Sequence, residues 1–153
     1  MQTFLPVKSF VASMEFLDEA RLRVQRIEAA QVLEILLGKP VIPQRMRSIV
    51  PFYSTHPNWM RHPVVMMWRG YEEYLKLYLA CAIGEYEFRG FASGFAAPIY
   101  YTEANAPPPW LGDEDLHRSH RSNLIRKKPS HYRPYWPDEV DNLPYYWPTR
   151  NGY

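Results

Sequence analysis

Cysteine is almost missing from this chain: Cys81 stands alone among Leu79, Ala80, Ala82 and Ile83. A single thiol excludes a disulfide framework and fits a reducing compartment, and in such apolar company it reads as a core side chain rather than a nucleophile. Long hydrophobic runs are missing too. The most apolar stretch is broken by Arg69, Glu72, Glu73, Lys76 and Glu85 well before the ~20 residues a bilayer needs. The opening Met1-Gln2-Thr3-Phe4-Leu5-Pro6-Val7-Lys8 lacks the basic-then-apolar order of a signal peptide. A cytoplasmic protein without a membrane partner is expected. No Gly-x-Ser-x-Gly, phosphate loop or Gly-x-Gly-x-x-Gly occurs, which removes the commonest signatures of serine hydrolases, nucleotide triphosphatases and dinucleotide enzymes. Charge of one sign is not in excess: 18 Lys and Arg against 16 Asp and Glu leave +2, too little to assign a nucleic-acid partner by itself.

What is present begins with length. A chain of 153 residues is one domain and buries a real core without cross-links. Prolines and aromatic residues crowd the part after residue 98, so a helical body followed by an irregular aromatic tail is expected: an all-α protein.

The most informative stretch runs from Leu17 to Leu33. Wound at about 100° per residue, it gathers Leu22, Ala29, Val32, Leu33, Ile35 and Leu36 into a broad apolar arc, with Glu19, Arg23, Arg26 and Glu34 opposite. Asp18, Arg21, Gln25 and Glu28, spaced three, four and three, form a polar stripe inside that apolar arc. Polar groups there must pair or line a cavity, because burying them alone costs several kcal/mol. Two readings stay open: a buried structural ion-pair network, or a pocket in which Glu28 is a carboxylate of tuned basicity and Arg21 holds an anion.

Asp18 is placed to cap this first long helix, about residues 18–37, and Gly38-Lys39-Pro40 to stop it. Ser13 is expected to cap a brief turn from Met14 to Leu17. A proline-rich loop covers Val41 to Asn58. Pro63 opens a second long helix, about 63–89, apolar over most of its circumference and therefore central. Residues 92–112 read as loop. Asp113 caps a third helix, about 113–128, with Glu114 and Asp115 first and Arg126, Lys127 and Lys128 last, the order the helix dipole prefers. In the tail, 129–153, two similar hexamers stand out, Tyr132-Arg133-Pro134-Tyr135-Trp136-Pro137 and Leu143-Pro144-Tyr145-Tyr146-Trp147-Pro148, which read as two turns packed on the body.

The third helix carries the strongest electrostatic signal: Arg118, Arg121, Arg126, Lys127, Lys128 and Arg133 interleaved with His117, His120 and His131. Such a face tracks phosphates and stacks bases, or it is a solvated helix paired with Asp113, Glu114, Asp115 and Asp138; both readings stand. His117 and His120 also have the one-turn spacing of two metal ligands, for which Asp113 or His131 would have to supply a third.

In order, these features resemble the pyrimidine-dimer DNA glycosylases of the phage endonuclease V type, and a bacterial branch beginning Met-Gln-Thr-Phe-Leu-Pro in particular. The matching stretches are Met1 to Pro6, Leu17 to Leu33, His62 to Phe91, and Pro109-Trp110-Leu111-Gly112-Asp113 through Lys128-Pro129-Ser130-His131-Tyr132. The resemblance implies an all-α enzyme that kinks damaged duplex DNA and flips a nucleotide out of the stack. It also implies an N-terminal amine that forms a Schiff base with the sugar C1′ and a helix glutamate that assists. Carried over, the catalytic groups are the Met1 amine, or that of Thr3 after trimming, with Glu28. Arg21 and Arg26 become the phosphate clamps, and Tyr132, Tyr135 and Trp136 match the aromatic loop; Gln25 of the polar stripe and His117, His120, Arg121 and Lys127 of the basic third helix complete the expected DNA contacts. An amine nucleophile accounts for the missing side-chain one, since an α-amino group titrates at roughly pH 8. Two departures mark this chain: Gln2 follows Met1 where the family exposes threonine, and Ile27 separates Arg26 from Glu28. The expected protein is a monomer that needs no cofactor or metal. Two alternatives remain: a nucleic-acid-binding module that has lost the nucleophile, and a metal-dependent hydrolase built on His117 and His120.

Overall fold

A computed structural model describes residues 1–48, 57–95 and 106–148. The proline-rich loops expected around Val41–Asn58 and 92–112 reach into 49–56 and 96–105, and the end of the tail into 149–153, outside the described residues. Among those described there are helices and no strand.

Helix α1 (Phe10–Phe16) is capped by Ser9, whose hydroxyl accepts from the Ala12 N–H at 3.2 Å. The expected cap at Ser13 is wrong by one turn, because Ser13 is buried inside α1 and donates to the Val7 carbonyl. The last carbonyls of α1 are answered by Arg89, which donates to Met14, Glu15 and Leu17, the usual remedy for orphan acceptors at a helix end. Helix α2 (Glu19–Leu37) has the expected bounds and stops at Gly38 with φ 64°, a left-handed position that suits glycine. A 3₁₀ turn at Gln44–Met46 follows. The buried Glu34 carboxylate holds this segment by accepting the Val41 and Ile42 N–H groups, both at 2.7 Å, and pairing with Arg47.

After a short α3 (Pro57–Met60), the second long helix differs from expectation. It is two helices, α4 (Pro63–Trp68) and α5 (Glu72–Phe88), separated by Gly70 at φ 86°. Apolar periodicity continues through the break because both pieces face one core, so spacing alone reads them as one. His62 caps α4, its Nδ1 accepting from the Val64 N–H at 3.3 Å. Helix α6 (Glu114–Lys127) follows the sequence reading, with the Asp113 carboxylate accepting from the Asp115 N–H at 3.0 Å. The tail opens with a further turn of helix, α7 (Pro129–Tyr132).

Helix α2 packs chiefly on α5, and α1 on α5 as well. Between them Phe10, Trp68, Tyr78 and Trp110 form a ring cluster with centroids 4.8–6.1 Å apart, a large apolar burial with favourable edge contacts. Cys81 lies at the rim of this core, and partial burial pushes its thiol up. Among the described residues no helix is long and apolar enough to cross a membrane.

Running through the middle is the start of the chain. Residues 2–6 belong to no helix and are buried, so their backbone groups must find partners. Side chains from four helices hold this stretch in place. Gln25 accepts from the Phe4 N–H at 2.9 Å and donates to the Gln2 carbonyl at 2.6 Å. Tyr78 donates to the Phe4 carbonyl at 2.8 Å, and Trp68 to the Thr3 hydroxyl at 2.8 Å. His120 accepts from the Leu5 N–H at 2.8 Å, His117 meets the Leu5 carbonyl at 2.7 Å, and Arg121 donates to the Pro6 carbonyl at 2.9 Å.

Candidate active site

This clamp delivers the first residue to α2. The Met1 side chain is 3% exposed, and its amine nitrogen lies 3.8 Å from Glu28 Oε1, within ion-pair range and longer than a hydrogen bond. Glu28 in turn lines a cleft of about 350 Å³ walled by Gln2, Phe4, Arg21, Arg23, Gln25, Lys127 and Tyr145. Among the described residues Glu28 is the sole carboxylate on that wall, with three cationic side chains around the same cleft. A cleft so lined suits an anionic ligand with an apolar or aromatic part.

Burial pushes the Glu28 carboxyl above the ordinary glutamate range, against the opposing pull of the Met1 ammonium, the Gln2 N–H and Lys127. A carboxyl whose basicity is raised by burial, beside an amine, has the geometry of a candidate general base. The two readings of the polar stripe divide along its length. At one end, Asp18 does not use its carboxylate to cap α2; it accepts from the Tyr132 hydroxyl at 2.5 Å and pairs with Arg21 at 3.2 Å and Lys128 at 3.5 Å. Burial alone would raise the Asp18 carboxyl, but these partners hold it below its usual value. This is the closed network. At the other end, Gln25 and Glu28 border the open cleft.

The remaining expected contacts sort by burial. Arg21 and Lys127 reach the cleft, and Gln25 borders it while holding the chain start. Arg26 does not: two residues before Glu28 it faces the other way on the helix, is 8% exposed, and places its guanidinium 4.6 Å above the Tyr86 ring. His117 and His120 are buried, each with Nδ1 committed to Leu5. Tyr132 is sealed against Asp18. These four are buried, their polar groups turned toward the protein's own interior, and they do not line the cleft. Arg121 is tied to Glu114, Glu139 and Pro6. Tyr135 is exposed, and both it and Trp136 pack on Phe16, outside the cleft. Among the described residues no group of three or more metal-ligating side chains comes together, and His131 is engaged with the Phe16 carbonyl at 3.0 Å. Arg23 and Tyr145 were not foreseen. The three-residue spacing of Ser119 and Ser122 ahead of the second hexamer was the available signal for Tyr145, since those hydroxyls bind the tail.

The histidine bracket makes stability acid-sensitive. Burial pushes His120 down to about 3, and it lowers His117 and His62 as well. The unfolded chain therefore takes up protons below about pH 6.5 that the folded chain refuses. Stability present above that pH is lost as pH falls toward 3, by up to about 1.4 kcal/mol per pH unit for a fully buried group. Denaturation midpoints measured from pH 7 to pH 4 are expected to fall, and to fall less steeply in His120→Asn, which keeps an acceptor for the Leu5 N–H. An equal slope in that variant would assign the effect elsewhere.

Compared with curated proteins and with solved structures, the chain matches none. A family model described as pyrimidine dimer DNA glycosylase matches residues 1–96, the stretch that holds the clamped chain start, the polar stripe of α2 and the central α5, and the chain belongs to that family.

Proposed function

We propose that this protein is a DNA glycosylase with associated abasic-site lyase activity, acting on damaged pyrimidines in duplex DNA through the Met1 amine and Glu28. The observation that carries this reading is the amine 3.8 Å from a half-buried carboxylate on the wall of a cationic cleft. In the reaction the neutral amine adds to C1′ of an extruded nucleotide and the C1′–base bond breaks, the base leaving with the electron pair and gaining a proton. Opening of the sugar ring leaves an iminium ion. The Glu28 carboxylate removes a C2′ proton, the C3′–O bond breaks and the phosphate leaves with its electrons. Water then hydrolyses the imine and returns the amine. Arg21, Arg23 and Lys127 hold the flanking phosphates. Met1 serves better than a trimmed Thr3, because trimming would delete the Gln2 carbonyl that Gln25 holds and the Gln2 N–H that meets Glu28.

The test is borohydride reduction of the protein mixed with abasic-site duplex DNA. A stable adduct is expected, with the reduced sugar mapped by mass spectrometry to the Met1 nitrogen. Attachment to a lysine would assign the nucleophile elsewhere. Salt-dependent DNA binding with no adduct would make this a binding module.

A further inference from the structure

The clamp around the chain start leaves one donor over. The backbone of Gln2 is in use, its carbonyl accepting from Gln25 at 2.6 Å and its N–H meeting Glu28. Its side-chain amide is not. Gln2 is 9% exposed, and its Nε2 is sealed from water without a hydrogen-bond partner among the described residues. A buried amide in that state costs free energy and calls for an explanation. Arg26, His117 and His120 also keep an unpartnered nitrogen, yet none of them lines the cleft, and Gln2 does. The spare donor thus belongs to the wall that carries Glu28, one residue along the chain from the Met1 amine. Because the backbone on both sides of it is fastened, the donor is fixed before any ligand arrives.

We propose that the Gln2 side-chain amide is a catalytic hydrogen-bond donor to the C2 carbonyl oxygen of the departing pyrimidine. The inference rests on the glycosylase reading above and assigns the group that stabilises the leaving base. When the C1′–N1 bond breaks, its electron pair passes to N1 and spreads onto the oxygen at C2. In a pyrimidine dimer the ring is saturated at C5 and C6, so that charge has no conjugated path to the oxygen at C4. The oxygen at C2 is then the acceptor that matters. A donor held in place and shielded from water stabilises charge that appears only as the bond breaks. Gln2 keeps both of its amide protons; the proton that the base finally gains is balanced by the one the amine loses on bonding to C1′. Thymine and cytosine share the C2 carbonyl, so this contact serves either as the leaving base.

The experiment uses Gln2→Met and Gln2→Leu, which lack the donor and are large enough at the second position to keep Met1 on the chain. Three quantities are measured: single-turnover excision from duplex DNA carrying a pyrimidine dimer, borohydride trapping on abasic-site duplex, and the thermal midpoint. Excision is expected to fall about 10²-fold, while trapping, in which no base departs, changes by less than about three-fold. The midpoint is expected to hold or rise, because the substitution removes a buried group without a partner. Excision by both variants within about three-fold of the parent would overturn the proposal, as would equal losses on the two substrates. A lowered midpoint in both variants would overturn it too, by making Gln2 a structural residue. Failure of the unaltered protein to trap abasic DNA is a separate result and would remove the catalytic reading itself.

Discussion

Glu28→Gln is expected to lower base excision and the following elimination by about 10²–10⁴-fold, and to leave the protein at least as stable as before. The first part follows from the place of the carboxylate between the amine and the cleft. The second follows from the direction in which its ionisation is displaced. Burial raises the folded-state value above the unfolded value of 4.5. Any stability this group contributes is therefore fully present below that value and is lost as pH rises through the folded one. Above the folded value the ionised carboxylate costs stability, and glutamine, which still accepts from the Gln2 N–H, removes that cost. The same displacement fixes the pH profile. The acid limb of single-turnover cleavage should lie above the ordinary glutamate range, and Lys127→Ala should move it higher, since Lys127 pulls the carboxyl down. Cleavage by Glu28→Gln within about three-fold of the parent, or a limb unmoved by Lys127→Ala, would take Glu28 out of the chemistry.

One glycine added ahead of Met1 is expected to abolish the borohydride adduct altogether. Consecutive Cα atoms lie about 3.8 Å apart, as far as the Met1 nitrogen lies from Glu28 Oε1, so a single added residue removes the amine from reach. The Met1 side chain is packed against the core, and the clamp from Gln25, Tyr78, His117 and His120 fixes residues 2–5, so the chain cannot slide back to compensate. Acetylation of the Met1 nitrogen should have the same outcome without changing length. Binding to duplex DNA, measured at fixed salt, should survive both changes to within a few-fold, because Arg21, Arg23 and Lys127 are untouched. Full trapping by the extended chain would exclude the N-terminal amine as nucleophile.

The bounds of α2 and α6 were legible because their ends carry local chemistry: Gly38 in the left-handed region, and Asp113 with its carboxylate on the Asp115 N–H. So was the stripe containing Glu28, since four polar residues inside an apolar arc admit few explanations. The break at Gly70 was hidden by a hydrophobic pattern that both α4 and α5 share. What the sequence hid most concerns where His117, His120 and Arg26 point. A basic, histidine-rich helix looks the same in sequence whether its imidazoles face a phosphate or the backbone of a distant segment. Only the path of residues 2–6 decides, and that path has no periodicity to read. Tyr145 escaped notice for a related reason, because two hexamers of like composition differ only in which one Ser119 and Ser122 tether.

The clamp around the first residues also sets when this site comes into being. His117, His120 and Arg121, which fasten Leu5 and Pro6, are translated more than a hundred residues after them. A nascent chain therefore holds the opening segment and Glu28 before it holds the residues that fasten them, and the cleft takes its shape only after α6 has folded back onto residues 2–6.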